Sequence, residues 1–290
     1  ISYVLPQTKN IRLGTGVSIM PQHHPVNVAV RLAFLDHLSK GRINCGFGQG
    51  GVATDWGLFD LPDPKTQGLM TVESIDMVLK LWQEDAPFDF QGDFYHIKIE
   101  EPQPELGIGE LLKPYQKPHP PIWVGATADV AIQRAARMGT CWYSGPSDRL
   151  DIVAGQVDTY KRALDAEDKP FPDEFPVRRE VFVARTREEA FRVAGEPIMN
   201  KYKAYHSWGL GSSRAGKTEE LAQSFEDMAR DRFLIGSVDD VAEQIIKFNK
   251  RVGMNHIVMS MHWPGMDVSR SMETMQLIAE EVFPKVRQGI

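Results

Sequence analysis

Two cysteines among 290 residues, Cys45 and Cys141, are too few for a disulfide framework, and both fall in stretches read as strands. That is the cysteine usage of a reducing, cytoplasmic compartment. No apolar run approaches the roughly 20 residues that span a bilayer, so no transmembrane helix is expected. Neither sign of charge dominates. The 33 Lys and Arg against 39 Asp and Glu leave a net charge of −6 with no basic stripe, which argues against nucleic acid and anionic membranes as partners. CxxC and HExxH spacings are absent, so no metal site is expected. Any composition-shifted linker is missing too, and a single domain over residues 1–290 is expected.

What is present is organised around Thr8 to Gly51, TKNIRLGTGVSIMPQHHPVNVAVRLAFLDHLSKGRINCGFGQGG. It reads as strand, loop, helix, strand and glycine-rich loop, a parallel β/α arrangement with a site at the strand ends. In the first strand, Ile11 to Ile19, Gly14 and Gly16 allow something, such as a flat ligand, to approach the backbone closely. Pro25 suits a helix start and Gly41 a helix exit, which predicts a helix over Pro25 to Lys40. Apolar residues cover most of its circumference, so burial by the barrel and by a second subunit is expected. The strand Arg42 to Phe47 runs into Gly48-Gln49-Gly50-Gly51, where backbone N–H groups suit an anion. Arg42 starts that strand at the end remote from such a site, and a structural ion pair is expected of it.

The pattern RLGTGV, the pair His24-Pro25, the run LDHLSKGR and the glycine-rich strand end together resemble the luciferase-like flavin monooxygenase family. The resemblance continues through Pro120 to Ala126, the AARMG of the next helix, Leu234-Ile235-Gly236-Ser237 and the final helix, and is weakest from Asn200 to Arg230. It implies a (β/α)8 TIM barrel with an inserted hairpin. Six strands are read: Ile11 to Ile19, Arg42 to Phe47, Ile122 to Gly125, Thr140 to Tyr143, Val177 to Ala184 and His256 to Met261. The two βα units that open the family's barrel are not among them, so a segment ahead of Ile1 is expected, a reduced barrel being the alternative.

Between these strands, Ala53 to Gln67 shows little periodicity and reads as an active-site loop or a surface connection. Helical spacing follows from Met70 to Trp82, then a hairpin over Phe88 to Ile97 and an extended crossing from Pro102 to Pro121. The helix opening at Ala126 starts beside a strand end, where its N-terminus suits a phosphate; Thr127 or Asp129 acting as a cap is the equal alternative. Capping boxes are read at Thr186 to Glu189 and Ser237 to Asp240. Lys201 to Arg232, with several glycines and Tyr202, Tyr205 and Trp208, reads through the resemblance as a mobile lid over a flavin.

The chemistry follows from the resemblance. It implies reduced FMN, delivered by a separate flavin reductase, that reacts with oxygen through a C4a-peroxyflavin to oxygenate a hydrophobic ketone, terpenoid or aldehyde. Carried over by position, Gly16-Val17 is a non-proline cis peptide under the isoalloxazine ring. Gly48 stands where the luciferases have a reactive cysteine and Gln49 where they have a phosphate-binding arginine. Gly51, Thr127, Ala128 and Ala131 fall on phosphate-contacting positions. His24 matches a histidine that lines the pocket, with the main catalytic histidine expected upstream of Ile1; His23 is read as solvent-facing or helix-capping. His262 and Trp263 either line the site or are structural. An 8-hydroxy-5-deazaflavin-dependent oxidoreductase is the alternative of another class, and a non-catalytic flavin-binding protein a third.

Overall fold

The computed structural model describes residues 1–108, 111–208 and 223–289. Parallel strands alternate with helices, a mixed α/β fold that packs as two compact units, Ile1–Gly51 with Asp55–Trp142 and Val52–Thr54 with Tyr143–Ile290. The strand read over Ile11 to Ile19 is instead two short segments, β1 (Leu13–Gly14) and β2 (Ser18–Ile19). Helix α1 (Pro25–Ser39) starts on Pro25 and ends where Lys40 and Gly41 both turn left-handed, at φ 56 and 85. It leads into β3 (Ile43–Gly48), buried at every position.

The stretch read as a loop over Ala53 to Gln67 is largely helical, comprising α2 (Ala53–Leu58) and the start of α3 (Pro64–Gln83). The missed signal is Asp63-Pro64. Asp63 caps α3 through the N–H groups of Lys65 and Thr66, Pro64 needs no donor, and bonds from Thr66 hold the Asp63 carboxyl below its ordinary range. The expected hairpin forms as β4 (Phe88–Gln91) against β5 (His96–Ile99). Pro102 to Pro121 carries a short 3-10 turn at Pro104–Leu106 and otherwise leads to β6 (Ile122–Gly125), α4 (Asp129–Met138) and β7 (Cys141–Tyr143). The first sheet has the order β1-β3-β6-β7, with β2 also on β3.

The second unit continues with α5 (Leu150–Ala166), β8 (Pro176–Val183) and α6 (Arg187–Ser207). Then follow α7 (Phe225–Ala229), β9 (Leu234–Gly236), α8 (Val238–Val252), β10 (His256–Ser260) and α9 (Val268–Leu277). A π turn joins α9 to α10 (Phe283–Gly289). The parallel order is β10-β8-β9, and β9 is a strand beyond the six read from the sequence, too short at three residues to show a period. Ser237 and Asp240 form the full capping box on α8. At Thr186 only half forms: its hydroxyl accepts the Glu189 N–H, while the Glu189 carboxylate bonds Arg270. Of the expected lid, Lys201 to Ser207 belongs to α6, Phe225 to Ala229 to α7, and residues 209–222 lie outside the described residues. Among the described residues no helix is long and apolar enough to cross a membrane.

Candidate active site

The site at the end of β3 begins with a register change. Leu13 and Gly14 pair with Ile43 and Asn44, an offset of 30, whereas Ser18 and Ile19 pair with Phe47 and Gly48, an offset of 29. One extra residue is therefore accommodated in Thr15-Gly16-Val17, a bulge in the parallel ladder. Thr15 repairs the interrupted ladder with its side chain. Its hydroxyl donates to the Gly46 carbonyl at 2.8 Å and accepts the Gly46 N–H at 3.0 Å. The Gly16–Val17 peptide bond is cis.

Glycines around the bulge keep side chains away from it. A Cβ on Gly46 would collide with the Thr15 carbonyl, and one on Gly48 would come within 2.8 Å of the Val17 side chain. On Gly16 it would meet nothing within 4 Å. The bulge is thus packed tightly from beneath and open above, a shelf of bare backbone that fits the face of a flat ring.

The ends of β3 and β6 lie beside the shelf. The chain leaves β3 through Gln49, Gly50 at φ 79 and the exposed Gly51. Gln49 donates its amide to the Pro64 carbonyl at 2.6 Å. At the end of β6, α4 starts with Ala128 at its N-cap and without a side-chain cap. Neither Thr127 nor Asp129 is the N-cap residue, and Asp129 stands in the first turn, where its carboxylate would repel an anion that it faced. Gln49 and Gly51 follow β3, and Thr127, Ala128 and Ala131 follow β6, and the two strands are parallel neighbours, so both segments leave the sheet at the same end. Arg134, not singled out in the sequence, reaches the same corner. Its Nη1 lies 3.1 Å from where a Cβ on Gly68 would stand, and the Gln49 Oε1 lies 3.3 Å from that same point. The available signal was its spacing of three residues from Ala131, which puts both on one helix face.

His24 is the N-cap of α1. Its Nδ1 accepts the Val26 N–H at 3.4 Å, which leaves the ring proton on Nε2, and the ring stands edge-on to Tyr95 at 5.5 Å. His23 is exposed and ends the 3-10 turn Met20–Gln22, its N–H donating to the Met20 carbonyl, while the N-cap of α1 is His24. Tyr95 is held by an anchor the sequence did not reveal. The Glu73 carboxylate of α3 accepts the N–H groups of Asp93, Phe94 and Tyr95 at 2.8, 3.0 and 2.7 Å, and a side chain at Gly92 would collide with it. Arg42 makes no ion pair with a described carboxylate; its guanidinium donates to the carbonyls of Leu5, Thr8, Ile11 and Ser39 and to the Thr8 hydroxyl.

In the second unit, Trp263 is buried and its Nε1 donates to Glu180 Oε2 at 2.7 Å, while His262 Nδ1 pairs with the Ser271 hydroxyl. Both serve structure. Glu180, fully buried, also receives Lys201 Nζ at 2.5 Å and the Tyr202 hydroxyl at 3.3 Å, so the carboxylate is charge-paired and held by three donors. Burial, then the Glu180 charge, raise the Tyr202 phenol far above its ordinary range.

The chain is 27% identical over 270 residues to 4-hydroxyprotoasukamycin monooxygenase of Streptomyces nodosus subsp. asukaensis, covering 87% of this chain and 68% of that protein. It is 22% identical over 293 residues to the oxygenase component of a flavin-dependent trigonelline monooxygenase of Acinetobacter baylyi, covering 96% and 77%. In fold it is similar to the oxygenating constituent of 3,6-diketocamphane monooxygenase of Pseudomonas putida, solved with FMN, at a TM-score of 0.80 and 23% identity over 98% of this chain and 82% of that one. The model of the luciferase-like monooxygenases matches residues 1–256, and the chain belongs to that family.

Proposed function

We propose that this FMN-dependent monooxygenase is the oxygenase component of a two-component system, receiving reduced FMN from a separate reductase and oxygenating a small hydrophobic molecule such as a ketone, terpenoid or aldehyde. The observation that carries the reading is the bare-backbone shelf at Thr15 to Val17, open above Gly16 and closed beneath by Gly46. Bound reduced FMN supplies the two electrons that split dioxygen, one oxygen atom passing to the substrate and one to water.

The chain's own residues bind, orient and exclude. Gly16 and Val17 support the ring face, and Gly48, lacking a side chain, leaves room beside it. Gln49, Gly51, Thr127, Ala128 and Ala131 surround the phosphate end, where the uncapped α4 offers N–H donors. His24, with its proton on Nε2 and its plane fixed by Val26 and Tyr95, holds a donor on the substrate side. The exposed stripe Val30, Phe34 and Leu38 on α1, at i, i+4 and i+8, is the face on which a second copy would dock.

The test is anaerobic titration with photoreduced FMN, then mixing with labelled dioxygen and a panel of cyclic ketones and aldehydes. Tight binding of reduced FMN and one labelled oxygen atom in the product are expected. Binding of the deazaflavin coenzyme in place of FMN would sink the reading in favour of hydride transfer, and binding of reduced FMN without product from any substrate class would favour a carrier.

A further inference from the structure

Tyr95 divides its work between main chain and side chain. Its N–H joins those of Asp93 and Phe94 on the Glu73 carboxylate, and its carbonyl accepts the Gly92 N–H at 2.9 Å. The hairpin needs that mooring, because in β4 and β5 only Ile97 is buried and two strands alone are marginal in water. The side chain takes no part in it. The phenol is half-buried, its hydroxyl has no hydrogen-bond partner among the described residues, and its ring stands edge-on to His24. A tyrosine hydroxyl that folding buries ordinarily finds a partner, so this one is left for solvent or for a ligand.

The strands place the ring pair at the open end of the shelf. Ile19 lies opposite Gly48, where β3 ends, and the chain then runs through the turn Met20–Gln22 directly to His24. Helix α3 packs against that turn and against α1, so an anchor on α3 carries the hairpin tip to the same end of the sheet. His24 is exposed there, its Nδ1 engaged by Val26 and its Nε2 without a partner among the described residues.

We propose that Tyr95 is a specificity-determining residue of the monooxygenase reaction. Its ring is the wall that limits how bulky a hydrophobic substrate can be when it reaches the His24 Nε2 proton, and Glu73 is the positioning residue that holds the wall in place. The inference rests on the site and the substrate class proposed above. An apolar wall beside a single donor suits a ketone or aldehyde with a compact hydrocarbon body. Gly92 belongs to the device, since a side chain there would collide with Glu73 and free the tip.

The test is kcat and KM of the full chain, supplied with reduced FMN and dioxygen, for cyclic ketones from cyclopentanone to cyclododecanone and the matching cycloalkyl aldehydes. Wild type should fail as the ring grows. Tyr95→Ala should raise kcat/KM for the first excluded ring, relative to the smallest, by roughly 10-fold or more, the scale on which methylene groups are discriminated in a hydrophobic pocket. Its affinity for reduced FMN should stay that of wild type. Tyr95→Phe, which keeps the ring, should restore the wild-type order. Glu73→Ala should relax the order in the same direction and speed hydrogen exchange at the amides of Asp93 to Tyr95. Thermal melting of each apo variant separates a lost wall from a lost fold. A Tyr95→Ala protein that melts as wild type and keeps its order of substrates would overturn the wall while leaving the site standing, as would a wild type indifferent to ring size. A wild type that oxygenates no member of the panel would overturn the substrate class and the wall together.

Discussion

The shelf of the first unit and the Glu180 cluster of the second are built on opposite plans. At the shelf, side chains are withheld: Gly16, Gly46 and Gly48 expose or closely pack backbone, and one hydroxyl, from Thr15, completes the ladder. Around Glu180, side chains crowd in, and Lys201, Tyr202 and Trp263 all donate to its carboxylate. The first plan leaves a surface that no described residue fills above Gly16, whereas the second surrounds one buried carboxylate with donors. Openness to a ligand here is made by backbone, and rigidity by a buried carboxylate that three donors hold.

The sharpest way to break this comparison is at Glu180. Glu180→Leu leaves the Lys201 ammonium and the Trp263 N–H without their acceptor, and should cost about 3–5 kcal/mol in urea unfolding at neutral pH. A variant as stable as wild type would show that packing alone holds the second unit. Next in size are two alanines on one shelf. Gly46→Ala drives a Cβ into the Thr15 carbonyl and should cost about 1–3 kcal/mol along with flavin binding. Gly16→Ala meets no protein atom within 4 Å and should change stability by less than about 0.5 kcal/mol while still blocking the flavin. Equal melting of the two variants would refute the distinction between the closed and open sides.

The smallest effect concerns Cys45 under the shelf. Burial, and after it the nearby Asp36 charge, push its thiol well above the ordinary value of 9.0. The folded thiol keeps its proton where the unfolded one releases it. Its contribution is therefore whole below pH 9 and shrinks as pH rises beyond that. Urea midpoints should fall from pH 8 to pH 10, and Cys45→Ala should flatten the decline.

What was legible in the sequence was local. The Ser237-Asp240 box, the Pro25 start of α1 and the β4–β5 hairpin each depend on residues a few positions apart, and each formed. Asp63-Pro64 was equally local and was passed over because the flanking residues lack a helical period. Gly14 and Gly16 in the first strand announced a close approach, but the one-residue change of register at Thr15 became visible only once β3 lay alongside. Glu180 bonds residues 21, 22 and 83 positions away, and Arg134 approaches Gln49 only because α3 and α4 are neighbours. Contacts of that kind leave no spacing to read.

The Glu73 anchor is indifferent to spelling. It holds the hairpin tip solely through main-chain N–H groups of residues 93–95, so it is blind to which side chains those positions carry, provided Gly92 stays bare. Exchange of Asp93, Phe94 or Tyr95 for any residue but proline therefore keeps the donors that tie the hairpin to α3. A lineage could rewrite the residues beside His24 one at a time, trying new molecules against an unchanged cofactor site, while the scaffold beneath never registers the experiment.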